Sequence, residues 1–307
     1  MTMFDDGVQY QIIEKARPLN FRPKYYSATK NDALWTTSDL AGHVFNKTID
    51  AINETKPHTL QRKVIGVDPS EGIGVFRNWF PVNWSCIGFD INPSLPWTHR
   101  ADFTTVSICR PVGCSLIAIS NLPFSEVPEF IGAFARDRYD AFGCILSRSA
   151  LSKFWQHRSV HDEYHLAHQQ SLDNQEYYGP YGGWKGMNAA FQVWVRQDFK
   201  RAQPLIITES PYFKIGISDN DAAFGIGCST SYTGKILEKI DFHRYERKYI
   251  KRIVPTGIAE KILRHCVNVS DWASPDIASS TRTYINNAMM TTTLHNSVLS
   301  YLDIAQH

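Results

Sequence analysis

Four short apolar runs constrain this chain more than any other feature: KVIGVD at 63–68, CIGFDI at 86–91, SLIAIS at 115–120 and AFGCILS at 141–147. None alternates polar with apolar residues, as a strand with one wet face does, so each predicts a strand covered on both faces. Between them, GVFRNWF, SEVPEFIGAFARDR and SALSKFWQHR can each wind into a covering helix. Strand and helix in alternation give the α/β class, with a doubly wound, mainly parallel sheet.

Ahead of these runs, TTSDLAGHVFNKTIDAI places Leu40, Val44, Phe45, Ile49 and Ile52 at helical spacing, with Thr37 or Ser38 as N-cap. Later, AAFQVWVRQDF at 189–199 predicts an antiparallel strand late in the sheet. The chain is expected to be one domain with additions: an N-terminal aromatic and basic segment with a helix over 1–62, a core over 63–208, and a substrate-side extension packed on that core over 209–307. Its 307 residues, 43% of them hydrophobic, suffice for a large core. The 32 Lys and Arg against 30 Asp and Glu leave +2, so any nucleic-acid surface must be a local patch. No apolar run reaches the roughly 18–20 residues of a membrane span, and Met1 to Tyr10 lacks the pattern of a secretory signal, which predicts an intracellular protein. The six cysteines form no C-x-x-C and mostly sit in apolar runs, as reduced core thiols do.

The turn after the first run carries the first chemistry. Asp68, Pro69, Ser70, Glu71, Gly72, Ile73 and Gly74 follow a strand directly, and glycines there let the backbone approach a ligand with no Cβ in the way. The next strand ends in Asp90 and Ile91, where a carboxylate can accept both hydroxyls of a ribose. Asp102 is then suited to an adenine amino group, with Phe103 against its ring. Arg77 stands where a dinucleotide fingerprint needs its third glycine, which favours a nucleotide-like cofactor without a pyrophosphate.

In this order and spacing, DPSEGIG, GFDINP, ADF and NLPF resemble the class I S-adenosylmethionine-dependent methyltransferases. NLPF is similar to the [N/D]-P-P-[Y/F/W] motif of amino-methyltransferases acting on adenine N6, and its leucine variant looks closest to the ribosomal RNA adenine dimethyltransferases. YHLAHQQSL followed by AAFQVWVRQDFKR resembles a group of viral and bacterial N-P-P-F methyltransferases whose late strand ends in F-Q-x-W. The resemblance spans about residues 30 to 235. It implies a Rossmann-like sheet of seven strands with helices on both faces. It also implies S-adenosylmethionine held by Asp68, Pro69, Ser70, Gly72, Gly74, Asp90, Ile91, Asp102 and Phe103, and an adenine in RNA or DNA as acceptor.

The tetrapeptide suits that acceptor. An exocyclic adenine amine is a poor nucleophile, its lone pair delocalised into the ring, so it must be aimed at the methyl. Asn121 can accept one N–H through its side-chain oxygen and the Leu122 carbonyl the other. Pro123 pushes Leu122 into an extended conformation. Phe124 supplies a stacking face worth about 1–3 kcal/mol. The alternative for the same residues is that Asn121 caps the following helix and Phe124 is core. Leu122 replaces the family's first proline, and Glu71 stands where a small residue is more common; its carboxylate either crowds the methionine moiety or meets its ammonium. A catalytically silent fold acting as a nucleic-acid-binding or assembly subunit is the alternative function.

His161, His165 and His168 in HDEYHLAH have helix-like spacing, but the order is not H-E-x-x-H and no further cluster follows, so no metal is expected. GCSTSYTGKI lacks the spacing of a phosphate loop and predicts a surface hairpin. Arg244, Arg247 and Lys248, interleaved with tyrosines, form a candidate phosphate-contacting patch, and Arg22, Lys24 and Tyr25 its opposite lip.

Overall fold

The computed structural model describes residues 2–5, 8–14, 36–151, 153–178, 184–202, 207–216, 218–228, 234–244, 250–270, 272 and 287–305. The chain divides into two compact units, one of residues 1–151 and 157–202, the other of 152–156 and 203–307.

The first unit opens with antiparallel β1 (Thr2–Asp5) and β2 (Val8–Glu14), then α1 (Ser38–Thr55). Thr37 is the cap, its hydroxyl accepting the Leu40 N–H at 3.3 Å. The four apolar runs form β3 (Lys63–Asp68), β4 (Ser85–Asp90), β7 (Cys114–Asn121) and β8 (Ala141–Ser147), with short β5 (His99–Arg100) and β6 (Val106–Cys109) between. Then come α2 (Val127–Arg136), between β7 and β8, α3 (Lys153–Ser159), whose residues 153–156 count with the second unit, β9 (Tyr164–Tyr178) and β10 (Trp184–Arg196). Seven strands share one sheet in the order β5-β4-β3-β7-β8-β10-β9, parallel from β5 to β8, with β10 inserted antiparallel between β8 and β9. The fold is therefore the Rossmann-like, doubly wound and mainly parallel sheet. β10 pairs with β8 only over Ala189–Val195, so its first residues run on with β9 past the end of β8 as a two-stranded ribbon.

Successive side chains of a strand face opposite ways, and β8 divides cleanly. Ala141 and Ile145 join Ile117, Ile119, Phe191 and Val193 beneath Leu40, Val44 and Ile52 of α1. Phe142 faces the other way, 5.0 Å from Phe134 of α2 between ring centroids. Both faces are thus covered, as the absence of alternation in the run requires. Gly143 is where α1 comes closest, because a Cβ there would collide with Thr48. Gly143→Ala is expected to cost about 1–3 kcal/mol of stability, read from urea unfolding midpoints.

Two expectations are corrected. GVFRNWF is not a helix: residues 69–84 hold only a 3-10 turn, Arg77–Trp79, because Pro81 forces Phe80 into an extended conformation at ψ 132°. Phe76, Phe80 and Trp84 cover the sheet there in place of a helix. His165 and His168 lie on a strand, so their spacing is not that of a helix face. Residues 209–307 fall in the second compact unit. They form β11 (Phe213–Gly216), β12 (Phe224–Gly227), β13 (Ile236–Leu237) and β14 (Ile250–Pro255), an antiparallel sheet in the order β11-β14-β12-β13, with α4 (Glu260–Val269) and α5 (Asn287–Ala305). Phe213, Phe224, Ile253, Leu263, Val267 and Leu294 give this unit a core of its own. The expected hairpin is there, Gly227 N–H meeting the Lys235 carbonyl at 2.9 Å.

No helix among the described residues is long and apolar enough to cross a membrane. None of the six cysteines is in a disulfide; Cys114, Cys144, Cys228 and Cys266 are buried and Cys109 is exposed.

Candidate functional site

β3, β4 and β7 end side by side, and the polar residues singled out in the sequence gather at that carboxyl edge. Asp68 lies opposite Gly88, and Asn121 opposite Ile145. Beyond Asp68 the chain turns through Gly72 and Gly74 at φ 55° and 76°, left-handed values that favour glycine. The Gly72 N–H donates to Asp90 Oδ2 at 3.0 Å, while Asp90 Oδ1 accepts from Asn92 N–H at 2.7 Å. Each oxygen keeps a lone pair for a ribose hydroxyl. Pro69 is buried, and Ile91 is half-buried beside Asp90.

A run of short contacts joins this turn to the tetrapeptide. Ser120 Oγ is 2.6 Å from Asp68 Oδ1, Ser70 Oγ is 2.9 Å from Ser120 Oγ, and Ser70 Oγ donates to the Asn121 carbonyl at 2.8 Å. Ser120 donates to Asp68 Oδ1 in the first of these contacts, and the Ser70 N–H donates to the same oxygen at 3.3 Å. Burial opposes those two bonds and outweighs them, pushing the Asp68 carboxyl up to about 8. Among the described residues Asp68 Oδ2 is buried with no hydrogen-bond partner, and so is Asp102 Oδ2. Asp102 Oδ1, by contrast, accepts the Thr104 N–H and hydroxyl at 3.0 and 2.7 Å.

Phe103 departs from its expected place against a ligand ring. It is 2% exposed, stacked on Phe130 at 5.7 Å and surrounded by Phe89, Phe134 and Tyr139, because its position on the turn capped by Asp102 points it into the core.

In the tetrapeptide, Leu122 is anchored twice, its side chain buried and its N–H donating to the Ile145 carbonyl at 3.2 Å. Pro123 closes a turn through its carbonyl, which accepts the Glu126 N–H at 3.0 Å. Phe124 is half-buried against the core beneath α1. Asn121 does not cap α2, whose N-cap position is Glu126.

Glu71, 4% exposed, turns back onto β4. Its Oε2 accepts the Thr98 hydroxyl and its Oε1 lies 3.5 Å from Arg77 Nη1. Gly88 leaves the room, since a Cβ there would collide with the carboxylate.

Ser120 and Thr98 lie outside the motifs, and Gly88, though it opens GFDINP, carries no sign there of the carboxylate it makes room for. The only sequence signal for Ser120 is a hydroxyl inside an apolar run. In the F-Q-x-W stretch, Gln192 is buried and fully engaged: Nε2 donates to the Ala150 carbonyl at 2.6 Å and to Gln169 Oε1 at 2.9 Å, and Oε1 accepts from Trp194 Nε1 at 3.0 Å. It pins the segment that follows β8.

Of the expected nucleic-acid patch, Arg22, Lys24, Tyr25, Arg247 and Lys248 lie outside the described residues. Arg244 is exposed and pairs with Asp241 at 3.2 Å. Arg252, in the same basic run, turns inward against Asp219 and Phe242. Among the described residues no three His, Cys, Asp or Glu converge as metal ligands. His165 Nε2 meets the Phe199 carbonyl at 3.0 Å, and the His168 ring lies 5.4 Å from Phe191.

No protein-family model and no curated protein matches the chain. Among solved structures it is similar to a candidate RNA methyltransferase of Pyrococcus horikoshii, at 13% identity over 52% of this chain and 85% of that one, with a TM-score of 0.34. It is also similar to TrmN from Thermus thermophilus, at 14% identity over 60% of this chain and 55% of that one, TM-score 0.31. A third likeness is to the 1,6-didemethyltoxoflavin-N1-methyltransferase of Burkholderia thailandensis with bound S-adenosylhomocysteine, at 9% identity over 64% and 99% of the two chains, TM-score 0.31.

Proposed function

We propose that this chain is a class I methyltransferase that moves a methyl group from S-adenosylmethionine to the N6 amino group of adenine in nucleic acid. The observation that carries the reading is the 2.8 Å bond from Ser70 Oγ to the Asn121 carbonyl, which sets the glycine turn and the Asn-Leu-Pro-Phe turn one hydroxyl apart. Unpartnered, buried carboxyl oxygens on Asp68 and Asp102 support the cofactor, since they suit its ammonium and its adenine amino group. Gly72, Gly74 and Asp90 hold the backbone and ribose between them. When bound, S-adenosylmethionine supplies an electrophilic methyl on a sulfonium.

The chain's part is alignment. Asn121 and the Leu122 carbonyl accept the two N–H groups of the acceptor amine, which directs its lone pair outward from both acceptors. Pro123 stiffens the turn and Phe124 offers its free part to the base. No general base is needed until the methylated amine sheds a proton. The silent-subunit reading has one observation in its favour, the missing helix after β3, where Glu71 occupies the turn.

Calorimetric titration separates the two: the enzyme is expected to bind S-adenosylmethionine with a dissociation constant below about 1 mM. No binding at that concentration rejects both cofactor and activity. Transfer to RNA and DNA oligonucleotides with and without adenine then tests the acceptor, and methylation that persists without adenine rejects N6.

A further inference from the structure

In a doubly wound sheet the glycine turn after the first strand is usually held by the helix it opens, whose first N–H groups also face the ligand. Here residues 69–84 contain only the 3-10 turn Arg77–Trp79, so something else must hold Gly72 and Gly74 at positive φ. Glu71 is the residue with contacts in every direction that matters. Its N–H donates to the Phe89 carbonyl at 2.9 Å and its carbonyl accepts the Gly74 N–H at 2.8 Å. Its carboxylate lies in the gap left by Gly88, bonded to Thr98 and paired with Arg77. Arg77 in turn lies over the Trp97 ring at 5.8 Å. The turn, β4, the segment from Leu95 to Thr98 and the 3-10 turn therefore meet on one side chain.

We infer that Glu71 is a positioning residue that holds the Gly72–Gly74 turn, and with it the Gly72–Asp90 contact, in the shape that receives the cofactor; this rests on the methyl-transfer reading above. The carboxylate is directed onto Gly88 of β4, inside the fold, where Gly88 lies opposite Asp68. A buried carboxylate in that position does the work of the absent helix, by tying the turn to β4 instead of by continuing it.

The test compares Glu71→Ala with Glu71→Gln, whose amide oxygen still accepts from Thr98. In Glu71→Ala, hydrogen exchange over residues 70–76 of the ligand-free protein is expected to quicken about tenfold while β7 and β8 stay protected. The KM for S-adenosylmethionine should rise about tenfold, with kcat and the KM for the oligonucleotide held within about threefold. Glu71→Gln should keep both measurements near wild type. Unchanged exchange at 70–76 in Glu71→Ala overturns the proposal, and so does exchange that quickens evenly through β3, β7 and β8, which would mark a general structural part. A wild-type protein that binds no S-adenosylhomocysteine overturns the cofactor reading, and with it the effect on KM, whatever the exchange pattern.

Discussion

Asn121→Ala is expected to lower methyl transfer to an adenine-containing oligonucleotide on the order of 100-fold or more, since a mis-aimed acceptor loses the benefit of alignment. Cofactor affinity should move by less than about threefold, because the variant removes an interaction with the acceptor alone. The reasoning is local. Ser70 bonds to the backbone carbonyl of residue 121, which alanine retains, and Leu122 stays fixed by its burial and by the Ile145 carbonyl. The turn should therefore keep its shape while losing one of its two acceptors for the amine. Single-turnover methyl transfer beside calorimetric titration reads the two effects separately; a parallel loss of both would make Asn121 a structural residue.

Asp68→Asn is the second large effect, and it acts on stability and binding in opposite senses. Burial raises the Asp68 carboxyl from 3.8 to about 8, so between those values the folded chain holds a proton that the unfolded chain releases. Stability then falls as pH rises through that window, by about 1.4 kcal/mol per unit and a few kcal/mol in all, and is fully present only below it. Asparagine cannot ionise, and its amide oxygen can accept from Ser120 as the carboxyl oxygen does. The variant is expected to match wild type near pH 4 and to exceed it by a few kcal/mol at pH 8, read from urea midpoints. A constant difference across pH would mean that Asp68 is ionised in the fold. At the same time Asp68→Asn should weaken S-adenosylmethionine binding, because the ammonium loses the carboxylate that forms when the proton leaves. Wild-type binding at pH 7 should release close to one proton, measured by calorimetry in buffers of different ionisation heat, and the variant should release none from this group.

The sheet was legible because its strands are buried on both faces: Ala141 and Phe142 point to opposite layers, and both layers are dry, so the run needs no polar residue. Thr37 was legible for a local reason, a hydroxyl one turn ahead of an apolar stripe. The segment after β3 was not, because Phe76, Trp79 and Phe80 have helical spacing while Pro81 decides the backbone from outside the pattern. The second unit's core escaped because Phe213 and Ile253 sit in short strands beside Lys214 and Arg252, and the glycines of AAFGIGC around Phe224 mark a strand no more than a loop. In the site, single motifs were visible and their pairings were not. Ser120 meets Asp68 across 52 positions and Thr98 meets Glu71 across 27, contacts that exist only once β3, β4 and β7 are aligned.

The collision geometry at Gly88 also sets an order on sequence drift. With Glu71 in place, any side chain at 88 meets the carboxylate, so a descendant of this chain can gain one there only once Glu71 has turned away or shortened. Shortening alone opens a hole beside β4 and loosens the turn, so the two positions exchange by way of a weakened intermediate. Glu71 and Gly88 are thus a single inherited character written at two places. A relative with a small residue at 71 should carry a side chain at 88, or a helix after β3, to hold what the glutamate holds here.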